Sequence, residues 1–157
     1  MHLMSGVVEH PEERSLCYQT PLDNLRYAAG RFAQYKKRLV IEALCPEIKQ
    51  NYLFRSQYET LRAVQECGCD NVFILLDTFH AQKVDGNLSY LIEKYQGRYA
   101  HVQTASLPDR HEPNQGEINY DYIFDLLDKV GYKGYVGCEY NPADDTVAGL
   151  SWLDKYR

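Results

Sequence analysis

Four short apolar runs, each ending in or containing a residue able to bind a metal, alternate with helical patterns along this 157-residue chain. The runs are rich in β-branched and aliphatic residues, as strands buried on both faces of a parallel sheet are. They cover residues 39–42, 72–77, 100–103 and 135–139. Strands that alternate with helices are typical of βαβ units, so the pattern predicts an α/β fold with a parallel sheet.

The helices between these runs are marked by start and stop signals. Ser56 and Glu59 form a Ser-x-x-Glu capping box, and Gly68 stands where that helix should end. Asn119 is a candidate N-cap of a later helix, for which Gly131 is the stop.

The number of units limits the architecture. Residues 22–32 and 88–95 carry two further helical patterns, and residues 2–4 would add one short strand. This gives about five parallel strands, whereas a closed (β/α)8 barrel usually needs about 250 residues. We therefore expect residues 1–157 to form a single domain that is part of a TIM barrel, with its first βα units absent and its sheet edges exposed.

Composition narrows the classes of protein. The net charge is −5, whereas proteins that bind nucleic acids usually carry a basic surface. The apolar runs are too short to span a bilayer. Five cysteines without a signal peptide predict reduced thiols and a cytoplasmic location. Cys67 and Cys69 have no partner pair at zinc spacing, and Cys138, inside an apolar run, is predicted to be a small core residue.

Three of the apolar runs end in a carboxylate: Glu42, Asp77 and Glu139. A buried carboxylate costs several kcal/mol unless it is paired or bound to a cation. Any one of them could bond to backbone or to an arginine, but three at the carboxyl ends of parallel strands favour one shared site. Oxygen ligands suit a hard divalent ion such as Mg²⁺ or Mn²⁺.

Other polar residues lie close to these strand ends. His80 follows Asp77 by three residues and could contact substrate, move a proton, or simply cap a helix. His101 and Gln103 point to the same face of their strand, and spacing alone does not choose between them as ligands. Arg110, in the next loop, is either an anchor for a substrate carboxylate or a solvated loop residue.

Several of these stretches resemble the C-terminal part of the hydroxypyruvate isomerase family, within the xylose isomerase-like barrel superfamily. The similarity covers nearly the whole chain. The matching stretches are residues 24–29, 77–82 (Asp-Thr-Phe-His-Ala-Gln), 85–88, 101–103 (His-Val-Gln), 110–113, 116–120, 134–140 (Gly-Tyr-Val-Gly-Cys-Glu-Tyr) and 149–153. One departure is local: the family usually has Pro-Ile-Asn after its first glutamate, whereas residues 43–46 here are Ala-Leu-Cys-Pro.

The resemblance implies a role for each candidate residue. The implied metal ligands are Glu42, Asp77, Gln103 and Glu139; the implied proton donor and acceptor are Glu42 and Glu139; the implied substrate contacts are His80 and Arg110. Glutamine at the third ligand position, where the sugar epimerases of the superfamily have histidine, favours the isomerase branch.

The implied activity interconverts hydroxypyruvate and 2-hydroxy-3-oxopropanoate (tartronate semialdehyde) by metal-assisted proton transfer through an enediolate. Two alternatives remain at this point. One is a non-catalytic truncated form that binds metal or a partner, and the other is a related sugar or oxo-acid isomerase or 3-epimerase. The expected partners are a small oxo-acid substrate and, through the exposed sheet edges, a second copy of the chain, with no nucleic acid and no membrane.

Overall fold

The sheet has four parallel strands in the order in which they occur in the chain. The computed structural model describes residues 1–156, and its strands are β1 (Leu39–Glu42), β2 (Val72–Asp77), β3 (Tyr99–Thr104) and β4 (Val136–Cys138). Each neighbouring pair is parallel. An α/β architecture with this topology confirms the predicted partial barrel.

Helices connect successive strands. They are α1 (Arg14–Cys17), α2 (Gln19–Ala33), α3 (Gln57–Cys67), α4 (Thr78–Val84), α5 (Leu88–Lys94), α6 (Tyr120–Lys129) and α7 (Thr146–Gly149), with 3-10 turns at Pro11–Glu13 and Leu150–Tyr156. The predicted caps are confirmed. Ser56 accepts from the Glu59 N–H, Asn119 accepts from the Tyr122 N–H, and Gly68 ends α3 with a φ of 70° that favours glycine.

The pleat of the sheet separates core side chains from site side chains. Ile41, Ile74 and Val102 lie on one face and are at most 1% exposed in the main apolar core. Glu42, Asp77 and Gln103 belong to the alternate positions, which point to the opposite face. Strand alternation therefore places the polar strand ends together, away from the helices that cover the core.

The predicted fifth strand is wrong in extent. His2 makes only an isolated parallel bridge to Val40, whose N–H and C=O bond to the Met1 carbonyl and the Leu3 N–H. Beyond this bridge the segment leaves the sheet through Gly6, whose φ is 88°. The sheet among residues 1–156 therefore has four strands and one bridging residue.

The strand at the other edge is more exposed than predicted. Cys138 is exposed instead of buried in the core, and Tyr135, just before β4, is 86% exposed. The reason is that β4 pairs only with β3 and is the last strand of the sheet. Trp152, in the 3-10 turn Leu150–Tyr156, is only 6% exposed and therefore packs inside the fold. In the part of the chain described, no helix combines the length and apolarity that crossing a membrane requires.

Candidate active site

Glu42 ends β1 and is a buried carboxylate whose charged form is destabilised by its surroundings. Its side chain is buried, and its Oε1 atom has no hydrogen-bond partner among residues 1–156. Burial, followed by the negative charges of Asp77 and Glu139, raises the pKa of Glu42 to about 8. A buried oxygen without a partner is costly, so this atom is available to a ligand.

Asp77 ends β2 and is fully buried. Its Oδ1 atom caps α4 by accepting from the Phe79 N–H at 2.8 Å, and its Oδ2 atom lies 3.3 Å from Arg110 Nη2. Burial raises the pKa of Asp77, whereas the Arg110 charge opposes that shift. The helix cap fixes one oxygen and leaves the other directed into the site.

Gln103 and Glu139 complete the row of strand-end side chains. Gln103 lies opposite Asp77 on one side and Gly137 on the other, and its Oε1 atom is buried without a partner in the described chain. Glu139 directly follows β4 and is half-exposed, with its Oε2 atom 2.5 Å from Arg110 Nη2. The register therefore brings all four predicted ligands to one edge of the sheet.

Arg110 provides the positive charge at the centre of this acidic group. It sits in the loop after β3 with a φ of 59°, and its guanidinium lies over the Phe79 ring at 5.1 Å. One nitrogen, Nη2, contacts both Asp77 and Glu139. Glu112 secures the loop by accepting from the Ala143 N–H at 3.2 Å. Arg110 is therefore held inside the site and is not a solvated loop residue.

His80 lies in the first turn of α4 and is 1% exposed. Burial, and then the Arg110 charge, lower the pKa of His80 to about 3, so the ring is neutral. Glu42, Asp77 and His80 each offer a ligand atom within 4.8 Å of the others.

His101 is absent from that group among the residues described, although it shares the face of Gln103. A Cβ atom on Gly137 would lie 2.9 Å from His101 Nε2, so a side chain at this position would require the imidazole to move.

Two residues of the site were missed by the sequence reasoning. His2 Nε2 lies 3.7 Å from Glu42 Oε2, and the Cys45 N–H donates to His80 Nδ1 at 3.1 Å. The contact of His2 depends on a bridge to β1, which no periodicity reveals. The departure from the family pattern at residues 43–46 was the only signal that pointed near Cys45.

The donor set fits a hard divalent cation. The partnerless Oε1 atoms of Glu42 and Gln103 lie at the same strand edge as the carboxylates of Asp77 and Glu139. Carboxylate and amide oxygens are the ligands that Mg²⁺ or Mn²⁺ prefer. Of the three carboxylates, Glu42 and Asp77 belong with His80 to the group of ligand atoms within 4.8 Å of one another, whereas Glu139 lies outside that group and is paired with Arg110. A cation would also stabilise the charged form of Glu42, whose pKa is raised first by burial and then by repulsion from Asp77 and Glu139.

Residues 1–156 match the family model described as xylose isomerase-like TIM barrel. The chain belongs to this family. Among curated relatives of the family, it is 54% identical over its whole length to 2-oxo-tetronate isomerase of Haemophilus influenzae, covering 61% of that protein. It is 36% identical to hydroxypyruvate isomerase of Escherichia coli, with 89% of this chain and 54% of that protein covered.

The family fold is also seen in solved structures. The crystal structure of AP endonuclease, family 2 from Brucella melitensis is 45% identical, with a TM-score of 0.96 over 99% of this chain and 60% of that one. A 3-keto-D-glucoside 4-epimerase from E. coli, 21% identical with a TM-score of 0.81, shares the fold. The chain thus spans about three fifths of the length of its nearer relatives of this family.

Proposed function

We propose that this chain carries the active site of a metal-dependent isomerase that acts on a short 2-oxo acid. The observation that carries the proposal is the placement of two glutamates on either side of two inner ligands. Glu42 comes from β1 and Glu139 follows β4, whereas Asp77 and Gln103 come from the two strands between them. The names of the relatives, 2-oxo-tetronate isomerase and hydroxypyruvate isomerase, support the same class of reaction.

Glu42, Asp77, Gln103 and Glu139 would hold Mg²⁺ or Mn²⁺ through oxygen atoms. The bound ion would stabilise negative charge that develops on two neighbouring substrate oxygens. Glu42 Oε1 and Gln103 Oε1 are the atoms best prepared for this role, because neither has another partner within residues 1–156.

Arg110 and His80 are proposed to hold the substrate. The Arg110 guanidinium is already inside the site and offers two-pronged hydrogen bonding to a carboxylate. His80 is buried and neutral beside it, with 3.4 Å between His80 Nε2 and Arg110 Nη2. Together they present donors to the carboxylate and to a neighbouring oxygen of a 2-oxo acid.

The two glutamates are proposed to move the proton. One carboxylate removes a proton from C3 of the 2-oxo acid, and an enediolate forms across C2 and C3. The hydroxyl proton on O3 passes to O2, and the other glutamate returns a proton to C2, which completes the shift of the carbonyl from C2 to C3. Because a bound cation lowers the pKa of a carboxyl that it touches, the glutamate that the metal neutralises less is proposed as the base.

Two substrates fit this chemistry. Hydroxypyruvate would give 2-hydroxy-3-oxopropanoate, and 2-oxo-tetronate is its four-carbon counterpart. The 54% identical relative favours the four-carbon acid, whereas the sequence motifs pointed first to hydroxypyruvate. A sugar 3-epimerase is the weaker alternative, because Gln103 stands where those enzymes are expected to have histidine.

Exchange of the C3 proton with solvent tests the proposal. The Mn²⁺-loaded protein, incubated with each acid in D₂O and freed of metal by chelation before NMR, should incorporate deuterium at C3. Glu139→Gln should abolish conversion of the acid while leaving the folded structure intact, because the amide can neither accept nor return a proton.

Glu93→Gln is the matched control, since the same change is made at an exposed position of α5. Conversion at an unchanged rate in Glu139→Gln would refute the role of Glu139. Exchange with neither acid would refute the substrate class.

The remaining expectations stay predictions: one domain over residues 1–157, a cytoplasmic location, no nucleic-acid partner, and association of copies through the exposed edge at β4. The exposed Tyr135 and Val136 beside that edge support the last of these. Sedimentation of the purified chain measures it, and a monomer at all concentrations would contradict it.

A further inference from the structure

The two inner ligands, Asp77 and Gln103, lie opposite each other where the pairing of β2 with β3 ends. Asp77 is held through its side chain, because its Oδ1 atom accepts from the Phe79 N–H at 2.8 Å in the first turn of α4. Gln103 differs, since its Oε1 atom has no hydrogen-bond partner among residues 1–156. The position of the Gln103 amide group therefore depends on how its main chain is held.

Thr78 connects these two ligands. It begins α4 directly after Asp77, is excluded from solvent, and donates from its Oγ1 atom to the Gln103 carbonyl at 3.0 Å. The same Oγ1 atom lies 2.7 Å from the hydroxyl of Tyr120, the first residue of α6. The first turn of α4, which holds the Asp77 carboxylate, is thus bonded to the main chain of Gln103.

Tyr120 extends this connection to Ala105, which directly follows β3. The Tyr120 hydroxyl donates to the Ala105 carbonyl at 2.6 Å and accepts from the Ala105 N–H at 3.2 Å. Because the Tyr120 proton points to that carbonyl, the single Thr78 hydroxyl proton must serve two acceptors. These are the Tyr120 oxygen and the Gln103 carbonyl, which share it in a three-centre hydrogen bond. Ala105 and Tyr120 are both buried, so water competes little for these bonds.

We propose that Tyr120 is a positioning residue, whose hydroxyl fixes the distance between the inner metal ligands Asp77 and Gln103. It acts through Thr78 on the α4 side and through the Ala105 main chain on the β3 side. The connection lies where the sheet itself stops holding the two strands, because Asp77 and Gln103 are the last pair in the β2–β3 register. This inference rests on the proposed function, since it assigns a role toward the proposed metal ligands.

Tyr120→Phe removes the hydroxyl and keeps the ring, which packs against Phe124 with 5.4 Å between ring centroids. Tyr99→Phe is the matched control. The Tyr99 hydroxyl is also buried and also donates to a main-chain carbonyl, that of Ile92 at 3.1 Å, but Tyr99 begins β3 and lies at the end away from Gln103. Both variants should therefore lose one buried hydrogen bond, and both should unfold at a lower urea concentration than the parent.

Binding of Mn²⁺, measured by calorimetry on the full chain, separates the two variants. Tyr120→Phe should weaken the affinity by about tenfold, the lower part of the range seen when residues that orient metal ligands are replaced. Tyr99→Phe should bind Mn²⁺ as the parent does. An unchanged affinity in Tyr120→Phe would overturn the proposal. Equal weakening in both variants would also overturn it, because the loss would then follow from stability and not from the position of the ligands.

Thr78 variants test the same connection from its other end, and they decide the question if Tyr120→Phe does not fold. Thr78→Ser keeps the hydroxyl and should bind Mn²⁺ within about twofold of the parent, whereas Thr78→Val lacks it and should bind about tenfold more weakly. Equal affinities of these two variants would overturn the proposal.

The outcome for the parent distinguishes this proposal from the proposed function. If the parent binds Mn²⁺ but converts no 2-oxo acid, the affinities of the variants still decide the role of Tyr120, and only the proposed function fails. A folded parent that binds no Mn²⁺ would overturn both.

Discussion

Replacing Glu42 by glutamine should change how the stability of the metal-free protein depends on pH. The pKa of Glu42 is raised from 4.5 to about 8, chiefly by burial. Between these two values the folded state keeps a proton that the unfolded state has released. The contribution of Glu42 to the free energy of unfolding is therefore fully present below pH 4.5 and is lost as the pH rises toward 8.

The size of the effect follows from the same shift. Each tenfold change in the proton equilibrium is worth about 1.4 kcal/mol, so the interval from 4.5 to about 8 corresponds to about 5 kcal/mol at most. The side chain is only 5% exposed, so solvent screening removes little of this. The nearby Asp77, whose pKa is also raised, acts in the same direction, so Glu42→Gln should remove a large part of the slope and not all of it.

Urea unfolding with a chelator present, at pH 5 and pH 8, measures this prediction. The parent should lose at least about 2 kcal/mol of stability between these values, and Glu42→Gln should lose clearly less. Glu93→Gln, at an exposed site, should behave like the parent. Equal slopes in the parent and Glu42→Gln would refute the claim that Glu42 is a buried, electrostatically unfavourable carboxylate.

Three further changes test other parts of the site and fold. Gln103→Leu should weaken Mn²⁺ binding, measured by calorimetry, by at least about tenfold, because it removes a buried oxygen with no other partner among the residues described. An unchanged affinity would exclude Gln103 as a ligand. Arg110→Lys should raise KM for a 2-oxo acid by about tenfold or more, since lysine lacks the planar fork, and an unchanged KM would contradict the carboxylate contact. Ser56→Ala should lower stability by about 1 kcal/mol in urea unfolding, because the cap of α3 is lost; no loss would show that the cap contributes little.

Features encoded in local sequence were predicted well. The capping box at Ser56, the stop at Gly68 and the strand ends at Glu42 and Asp77 depend on neighbouring residues and on the alternation of a strand. The convergence of the strand-end residues also followed, because parallel strands place their carboxyl ends on one edge.

Features that depend on distant contacts were not predictable. The exposure of Cys138 reflects the absence of a strand beyond β4 in the sheet, which its apolar neighbours in sequence do not reveal. The contact of Cys45 with His80 joins residues 35 positions apart through a loop conformation. His2 reaches Glu42 because a bridge to Val40, together with hydrogen bonds from Met1 to Arg38 and from Leu53 to Gly6, holds its segment in place. Spacing rules contain no information on such loop and edge contacts.

The central claim is that the four strand-end residues form one metal-dependent isomerase site. Turnover of hydroxypyruvate and of 2-oxo-tetronate by the 157-residue chain, after chelation and after addition of Mn²⁺ or Mg²⁺, tests it most directly. We expect turnover of at least one acid that disappears on chelation and returns with metal. A folded, metal-loaded chain that converts neither acid, or turnover that chelation leaves unchanged, would contradict it.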